Sequence, residues 1–209
     1  MFSRLTERYI ARRLRAAYQA DTFAPTDGYA QAVIAQYGKS LKNAAVLIPL
    51  AWREGEWHLL FTRRTQEVES HKGQVSFPGG ARDSNETSAE QTALREAEEE
   101  TGLQPTDVHI LGWLNDVVTI TGYRVTPVVG VIPWPYDFRL EPAEVSRVFT
   151  IPLGWLAQRQ NWEEHCVTPD GAQRASPVIT YSPYDGEILW GATARMTQDF
   201  LKILGLLKT

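Results

Sequence analysis

Cysteine is almost absent from this chain. Cys166 is the only one, so an intrachain disulfide is excluded and so is a cysteine-cluster metal site. Such scarcity fits a reducing, cytoplasmic setting. Long apolar runs are missing too, since none approaches the ~20 residues of a membrane span, and no membrane partner is expected. Met1 to Asp21 is rich in arginine and lacks the apolar core of a secretory signal. There is no excess of positive charge: the net charge of -4 argues against a broad nucleic-acid or anionic-membrane surface. It leaves room for a small anionic substrate held by a few arginines. His58, His71, His109 and His165 show no zinc-ligand spacing. No Gly-Lys-Ser/Thr follows Gly79-Gly80, so these glycines are not a P-loop. Ser76 lacks the elbow pattern of a serine hydrolase. Repeats and low-complexity segments are absent as well. What remains is the composition of a globular protein, long enough for a single domain over residues 1–209 with its own core.

The most informative stretch runs from Gly79 to Leu103. Ser88 with Gln91 three residues later predicts a capping box, and Gly102 predicts a helix stop. Ala89, Ala93, Leu94 and Ala97 supply a narrow apolar face at helical spacing. Glu96, Glu99 and Glu100 stand at i, i+3 and i+4, so they project from one side of the helix. Like charges at this spacing repel by a few tenths of a kcal/mol per pair. The negative end of the helix dipole adds to that cost. A solvated acidic face is the plain interpretation. A divalent-cation site is the sharper one, because hard cations such as Mg²⁺ want clustered carboxylate oxygens. Arg95, one turn before Glu99, is placed to brace it. The Pro78-Gly79-Gly80 segment predicts a turn where backbone approaches a ligand closely.

Arg95-Glu96-x-x-Glu99-Glu100-x-Gly102-Leu103, preceded by Gly80 and Glu86, resembles the Nudix box of the Nudix hydrolases. In that pattern Arg95 comes one residue late, and the branch similar to coenzyme A diphosphatases carries the same extra residue. A second resemblance to that branch runs through Leu59-Leu60-Phe61-Thr62-Arg63-Arg64-Thr65 and Gly73-x-x-x-Phe77-Pro78-Gly79-Gly80. Thr121 to Gly130, Glu144-Val145-x-x-Val148-Phe149 and Trp190-Gly191-x-Thr193-Ala194 also look like it. Two departures stand out. Thr65 replaces a serine, and Glu69 replaces an arginine, an acid for a base beside an anionic substrate.

The resemblance implies an α/β fold: a Nudix-like α/β/α sandwich with a mixed central sheet. The order of elements is consistent with it. Phe2–Ala20 predicts a basic amphipathic helix and Gly28–Tyr37 a second, together an N-terminal helical extension over residues 1–40. The core is expected over residues 44–207. Ala45–Leu50 and Trp57–Arg64 predict a hairpin around Arg53–Glu56, and Thr65–Lys72 a polar loop. Strand segments follow at Gln74–Phe77, Val108–Trp113, Val117–Ile120, Tyr123–Val131 and Val145–Ile151. Leu153–Gln158 predicts a short helix. Trp162–Val167 and Pro177–Tyr181 predict a late strand pair around Asp170-Gly171, and Trp190–Leu207 a closing helix.

The chemistry implied is hydrolysis of a diphosphate with Mg²⁺ or Mn²⁺ as cofactor. Glu96, Glu99 and Glu100 are the expected metal ligands, with Glu86 as a further one. Arg95 orients the carboxylates. A general base or water-positioning carboxylate is needed outside the box; Glu144 is the candidate and Glu141 its competitor. Arg63, Arg64, Lys72, Gly79 and Gly80 are the expected substrate contacts, with Arg82 and Arg124 further candidates. Strand alternation sends Arg63 and Arg64 to opposite faces, so one of the two is expected at the substrate. The substrate implied is coenzyme A or a related nucleoside diphosphate. Alternatives are another nucleoside diphosphate-linked compound and a Nudix-fold binding domain without turnover.

Overall fold

The computed structural model describes residues 5–19, 41–65, 73–167 and 176–207. The expected helix over 28–37, most of the loop over 65–72 with Glu69, His71 and Lys72, and the turn at 170–171 lie outside the described residues.

A first helix, α1 (Glu7–Ala17), begins at Thr6, whose side chain accepts the Tyr9 N–H. Its apolar stripe, Ile10 and Leu14, is fully buried. Next come β1 (Lys42–Arg53) and β2 (Glu56–Arg64), an antiparallel hairpin. Glu54 and Gly55 both take positive φ at its tip, the conformation that matches the twist of a tight hairpin. Short strands β3 (Val75–Ser76) and β4 (Gly79–Ala81) precede α2 (Ala89–Thr101). After α2 run β5 (His109–Trp113), β6 (Val117–Val118), β7 (Tyr123–Ile132) and β8 (Val145–Pro152). The chain closes with α3 (Leu153–Leu156), β9 (Trp162–Val167), β10 (Ser176–Tyr181) and α4 (Gly191–Ile203).

The main sheet runs β3-β2-β1-β7-β5, with β4 on β1, β6 on β7 and β8 on β2. β1 and β7 are parallel from Lys42↔Tyr123 to Ala51↔Ile132. The other pairs of this sheet are antiparallel, so it is mixed. Strand alternation divides the core into two layers. Ala45, Leu47 and Ala51 of β1 face α2 with Val128 and Leu103. Ile48 and Leu50 face the opposite layer, with α1, α4 and the phenylalanines Phe61, Phe77 and Phe149. This is an α/β fold with helices on both faces of a mixed sheet. β9 and β10 form a separate two-stranded sheet, the expected late pair. Among the described residues no helix is long and apolar enough to cross a membrane.

Several expectations need correction. The first helix is Glu7–Ala17 rather than Phe2–Ala20, the strand expected over Val117–Ile120 stops at Val118, and the short helix expected to Gln158 stops at Leu156. Pro78-Gly79-Gly80 is not a turn: Gly79–Ala81 is a strand, paired Ala44↔Ala81, Ala45↔Gly80 and Val46↔Gly79. Glycine is needed there for space. A Cβ on Gly79 would stand 2.5 Å from the Ala45 carbonyl oxygen and 2.6 Å from the Val46 Cα. The closing helix also ends earlier than its apolar pattern does. Gly205 takes φ +72°, and the Leu206 N–H returns to the Leu201 carbonyl at 2.9 Å, a left-handed stop of the Schellman kind.

Candidate active site

The acidic helix forms as its caps predict. The Gln91 N–H reaches Ser88 Oγ at 3.3 Å, and the Ser88 N–H reaches Gln91 Oε1 at 3.3 Å. Gly102 adopts φ 72° and donates to the Glu98 carbonyl. Ala93 and Ala97 are fully buried, and side chains this small let α2 lie close on β1. That closeness carries the acidic flank over β4. A Cβ on Gly80 would stand 2.5 Å from the Glu96 carboxylate, so the glycine leaves the space in which that carboxylate lies.

Arg95 is the hub of the flank. It bonds Glu86 through Nε at 2.8 Å and Glu99 through Nη1 at 2.8 Å. Glu96 lies 2.9 Å from the same Nη1, and Nη2 donates to the Ala81 carbonyl at 3.0 Å. Helical spacing makes the Arg95–Glu99 contact legible, but Ala81 and Thr92 are participants that sequence reasoning missed. Thr92 Oγ1 donates to Glu86 Oε2 at 2.7 Å, and the Asp83 N–H donates to the same oxygen at 2.8 Å. Both oxygens of Glu86 are therefore engaged. Burial alone would raise its pKa, but the hydrogen bonds from Arg95, Thr92 and Asp83 outweigh that and bring it down to about 2. In this arrangement Glu86 is an anchor for Arg95, not an open metal ligand.

The three helix carboxylates have different surroundings. The Glu99 side chain is 59% exposed and held by Arg95. Glu96 is largely buried, and burial raises its pKa against the pull of Arg95. Glu100 is almost completely buried, with a side chain 3% exposed. Burial drives its pKa up to about 8; the Arg64 charge opposes this, and the Glu96 and Glu144 charges reinforce it. Its Oε2 has no hydrogen-bond partner.

Glu144 faces this cluster and Glu141 does not. The Glu144 carboxylate lies 4.0 Å from Arg64 Nη2, and Arg64 Nη1 lies 3.7 Å from Glu100 Oε1. The Glu141 carboxylate turns back onto the Ala143 N–H at 3.1 Å. Thr65 secures the segment, its N–H to the Glu144 carbonyl at 2.9 Å and its hydroxyl to the Ala143 carbonyl at 3.0 Å.

Among the remaining cations, Arg63 points to the other face of β2. There it pairs with buried Glu187, which Arg147 also binds. Arg82 bonds the Glu86 carbonyl at 3.0 and 3.1 Å. Arg124 pairs with Asp116 in a groove of about 330 Å³ along the start of α2, lined also by Tyr18, Trp113 and Glu90. The structure brings none of these three to Glu96, Glu100 and Glu144. Lys72 lies outside the described residues.

Among the described residues no three acidic, histidine or cysteine side chains form a ready-made metal cage. The donor chemistry nevertheless fits a hard cation. Glu100 Oε2 is a buried oxygen without a partner, and Glu96 and Glu144 are close enough to perturb Glu100 electrostatically. Bare carboxylates repel one another and wait for a cation to be drawn together.

The NUDIX domain family matches residues 41–171. The chain is 39% identical over 165 residues to "Uncharacterized Nudix hydrolase NudL" of Escherichia coli O6:H1, covering 79% of this chain and 84% of the relative. The protein of the same name in Escherichia coli K12 gives the same figures. Among solved structures, a Nudix hydrolase from M. smegmatis, RenU, aligns with TM-score 0.48 and 26% identity over 56% of this chain and 73% of that one. With its domain match, its relatives and its mixed sheet carrying a capped acidic helix, the chain belongs to the Nudix hydrolase family.

Proposed function

We propose that this chain is a Mg²⁺- or Mn²⁺-dependent diphosphatase that cleaves nucleoside diphosphate derivatives, coenzyme A foremost. One observation carries the metal site: Glu100 Oε2, buried and unpartnered, in a cluster with Glu96 and Glu144. When bound, the divalent ion neutralises phosphoryl oxygens and lowers the pKa of water. Glu96 and Glu100 hold that ion, and Glu144 completes the set from the start of β8. Glu99, exposed on the same flank, is the fourth oxygen donor. Arg95 sets the directions of Glu96 and Glu99 and is itself held by Glu86. Glu144 is the candidate to accept the proton of the attacking water, because its side chain is 48% exposed and within reach of solvent. Arg64 is the candidate diphosphate contact, and the bare backbone of Gly79 and Gly80 leaves room beside the acids. We take these parts to belong to one domain.

Coenzyme A is favoured by the sequence signature over Leu59–Thr65 and Gly73–Gly80 and by the extra residue between Glu86 and Arg95. Glu69, an acid where that signature has a base, favours a second reading with another nucleoside diphosphate-linked substrate. Incubation with coenzyme A, ADP-ribose and dinucleoside polyphosphates under Mg²⁺ and Mn²⁺ separates them. Release of 3′,5′-ADP and 4′-phosphopantetheine is the expected result. Fast turnover of another diphosphate without 3′,5′-ADP overturns the coenzyme A assignment. No turnover of any diphosphate overturns the enzymatic reading.

A further inference from the structure

Arg64 is bonded differently from the other arginine of the acidic flank. Arg95 makes contacts of 2.8, 2.8 and 2.9 Å to three carboxylates. Arg64 stands 3.7 Å from Glu100 and 4.0 Å from Glu144. These separations are beyond hydrogen-bond length, so charge attraction is what relates the groups. Two polar atoms in the same cluster are orphaned: Arg64 Nε, a donor, and Glu100 Oε2, an acceptor, both buried. A guanidinium serving only to tie the cluster together would close on the free oxygen.

The backbone under Arg64 is fixed. Its N–H bonds the Gln74 carbonyl at 2.9 Å, and the next residue bonds the Glu144 carbonyl at 2.9 Å. The register between β2 and β8 shifts between Arg63 and Arg64, and a bulge of this kind re-aims a side chain. The long side chain is therefore loosely held on a rigid mount.

We propose that Arg64 is an electrostatic placeholder: it stands between Glu100 and Glu144 without a divalent cation, and turns to the substrate diphosphate when the cation binds. The inference rests on the reading of this cluster as the metal site. When Glu100 ionises, a buried carboxylate beside two others needs a positive charge nearby. If a dication supplied it instead, the guanidinium would be freed from the carboxylates and could pair with the substrate diphosphate. Cation and diphosphate then strengthen each other's binding, a reciprocal coupling.

The test measures Mn²⁺ affinity by electron paramagnetic resonance, with and without methylenediphosphonate, a diphosphate that is not hydrolysed. Arg64→Gln is expected to bind Mn²⁺ alone roughly threefold to tenfold more tightly than the wild type, because a competing charge is gone. The analogue is expected to tighten Mn²⁺ binding in the wild type and to lose most of that effect in Arg64→Gln. Arg64→Lys keeps the charge but not the fork, so it should retain Mn²⁺ affinity within about twofold and lose the enhancement. Lys202→Gln removes a distant positive charge and should leave both values unchanged. A merely structural Arg64 gives the opposite sign, since loosened carboxylates bind metal less well. Weaker or unchanged Mn²⁺ binding in Arg64→Gln overturns the proposal, as does enhancement that survives in Arg64→Lys. If Glu100→Gln leaves wild-type Mn²⁺ affinity untouched, the metal-site reading itself fails.

Discussion

Glu100→Gln keeps the shape of a buried side chain and removes its charge, so it isolates what that charge does to the metal-free fold. The ordinary carboxyl value is 4.5, and burial lifts Glu100 to about 8. Between these values the native protein holds a proton that the unfolded chain has released. Stability therefore falls as pH rises through that window. At roughly 1.4 kcal/mol per pH unit, the full gap corresponds to about 5 kcal/mol above pH 8, and about 3 kcal/mol at pH 7. Gln cannot ionise and escapes that loss. Urea denaturation in the presence of a chelator, at pH 5, 7 and 8.5, measures the difference. The variant is expected to approach the wild type at pH 5 and to be the more stable by several kcal/mol at pH 8.5. Saturating Mg²⁺ should remove the wild-type deficit, since a cation binding only the native state stabilises it. In the same variant, metal-dependent hydrolysis should fall by at least ~100-fold. A stability difference independent of pH would refute the reasoning, because it would mean that Glu100 carries no buried charge.

The two glycines of β4 should respond differently to alanine. Gly79→Ala presses on β1 backbone at 2.5–2.6 Å, and overpacking of this kind costs about 3 kcal/mol in thermal or urea unfolding. Gly80→Ala meets first the end of the Glu96 side chain, which can turn aside. It should cost less than about 1 kcal/mol yet weaken Mn²⁺ binding measurably in calorimetry. Glu86→Gln removes a carboxylate held down to about 2. The stability it supplies is present above pH 4.5 and lost as pH falls toward 2. Partial solvent screening leaves a cost of about 2 kcal/mol at pH 7 that shrinks toward pH 2. Hydrolysis should also drop by about 10–100-fold, because Arg95 loses its anchor.

Local signals in the chain were legible where one residue has one use. Ser88, Gln91 and Gly102 marked the ends of α2, and Glu54-Gly55 turned the first hairpin as expected. Gly79 and Gly80 are ambiguous in sequence because glycine has two uses, positive φ and close approach, and a sequence does not say which applies. The acidic flank was legible as a flank. Helical spacing grouped Glu96, Glu99 and Glu100, but it could not show that Glu100 is 3% exposed and Glu99 59%. Burial depends on where the sheet lies, and that is set by residues far along the chain. Alternation separated Arg63 from Arg64, yet the partner of Arg63, Glu187, lies 124 positions away. The Glu86–Arg95–Thr92 knot is local in space but crosses a loop and a cap, so no periodicity marks it.

The like-charge run that looked costly on a bare helix is resolved by giving each carboxylate a different neighbour. Glu96 and Glu99 share Arg95, whose own position is fixed by Glu86 and the Ala81 carbonyl. Glu100 is left with a distant guanidinium, the nearby Gly79 backbone and one oxygen without a hydrogen-bond partner. The first arrangement is closed, with short contacts on every side. The second is open, and burial keeps water from satisfying it cheaply. A structure that spent its arginine evenly over all three acids would be more stable without metal and poorer at binding one. Here the unmet polar demand falls on Glu100, where the proposed divalent cation would gain most. The same residue also lies within reach of Glu144 on one side and the bare β4 backbone on the other.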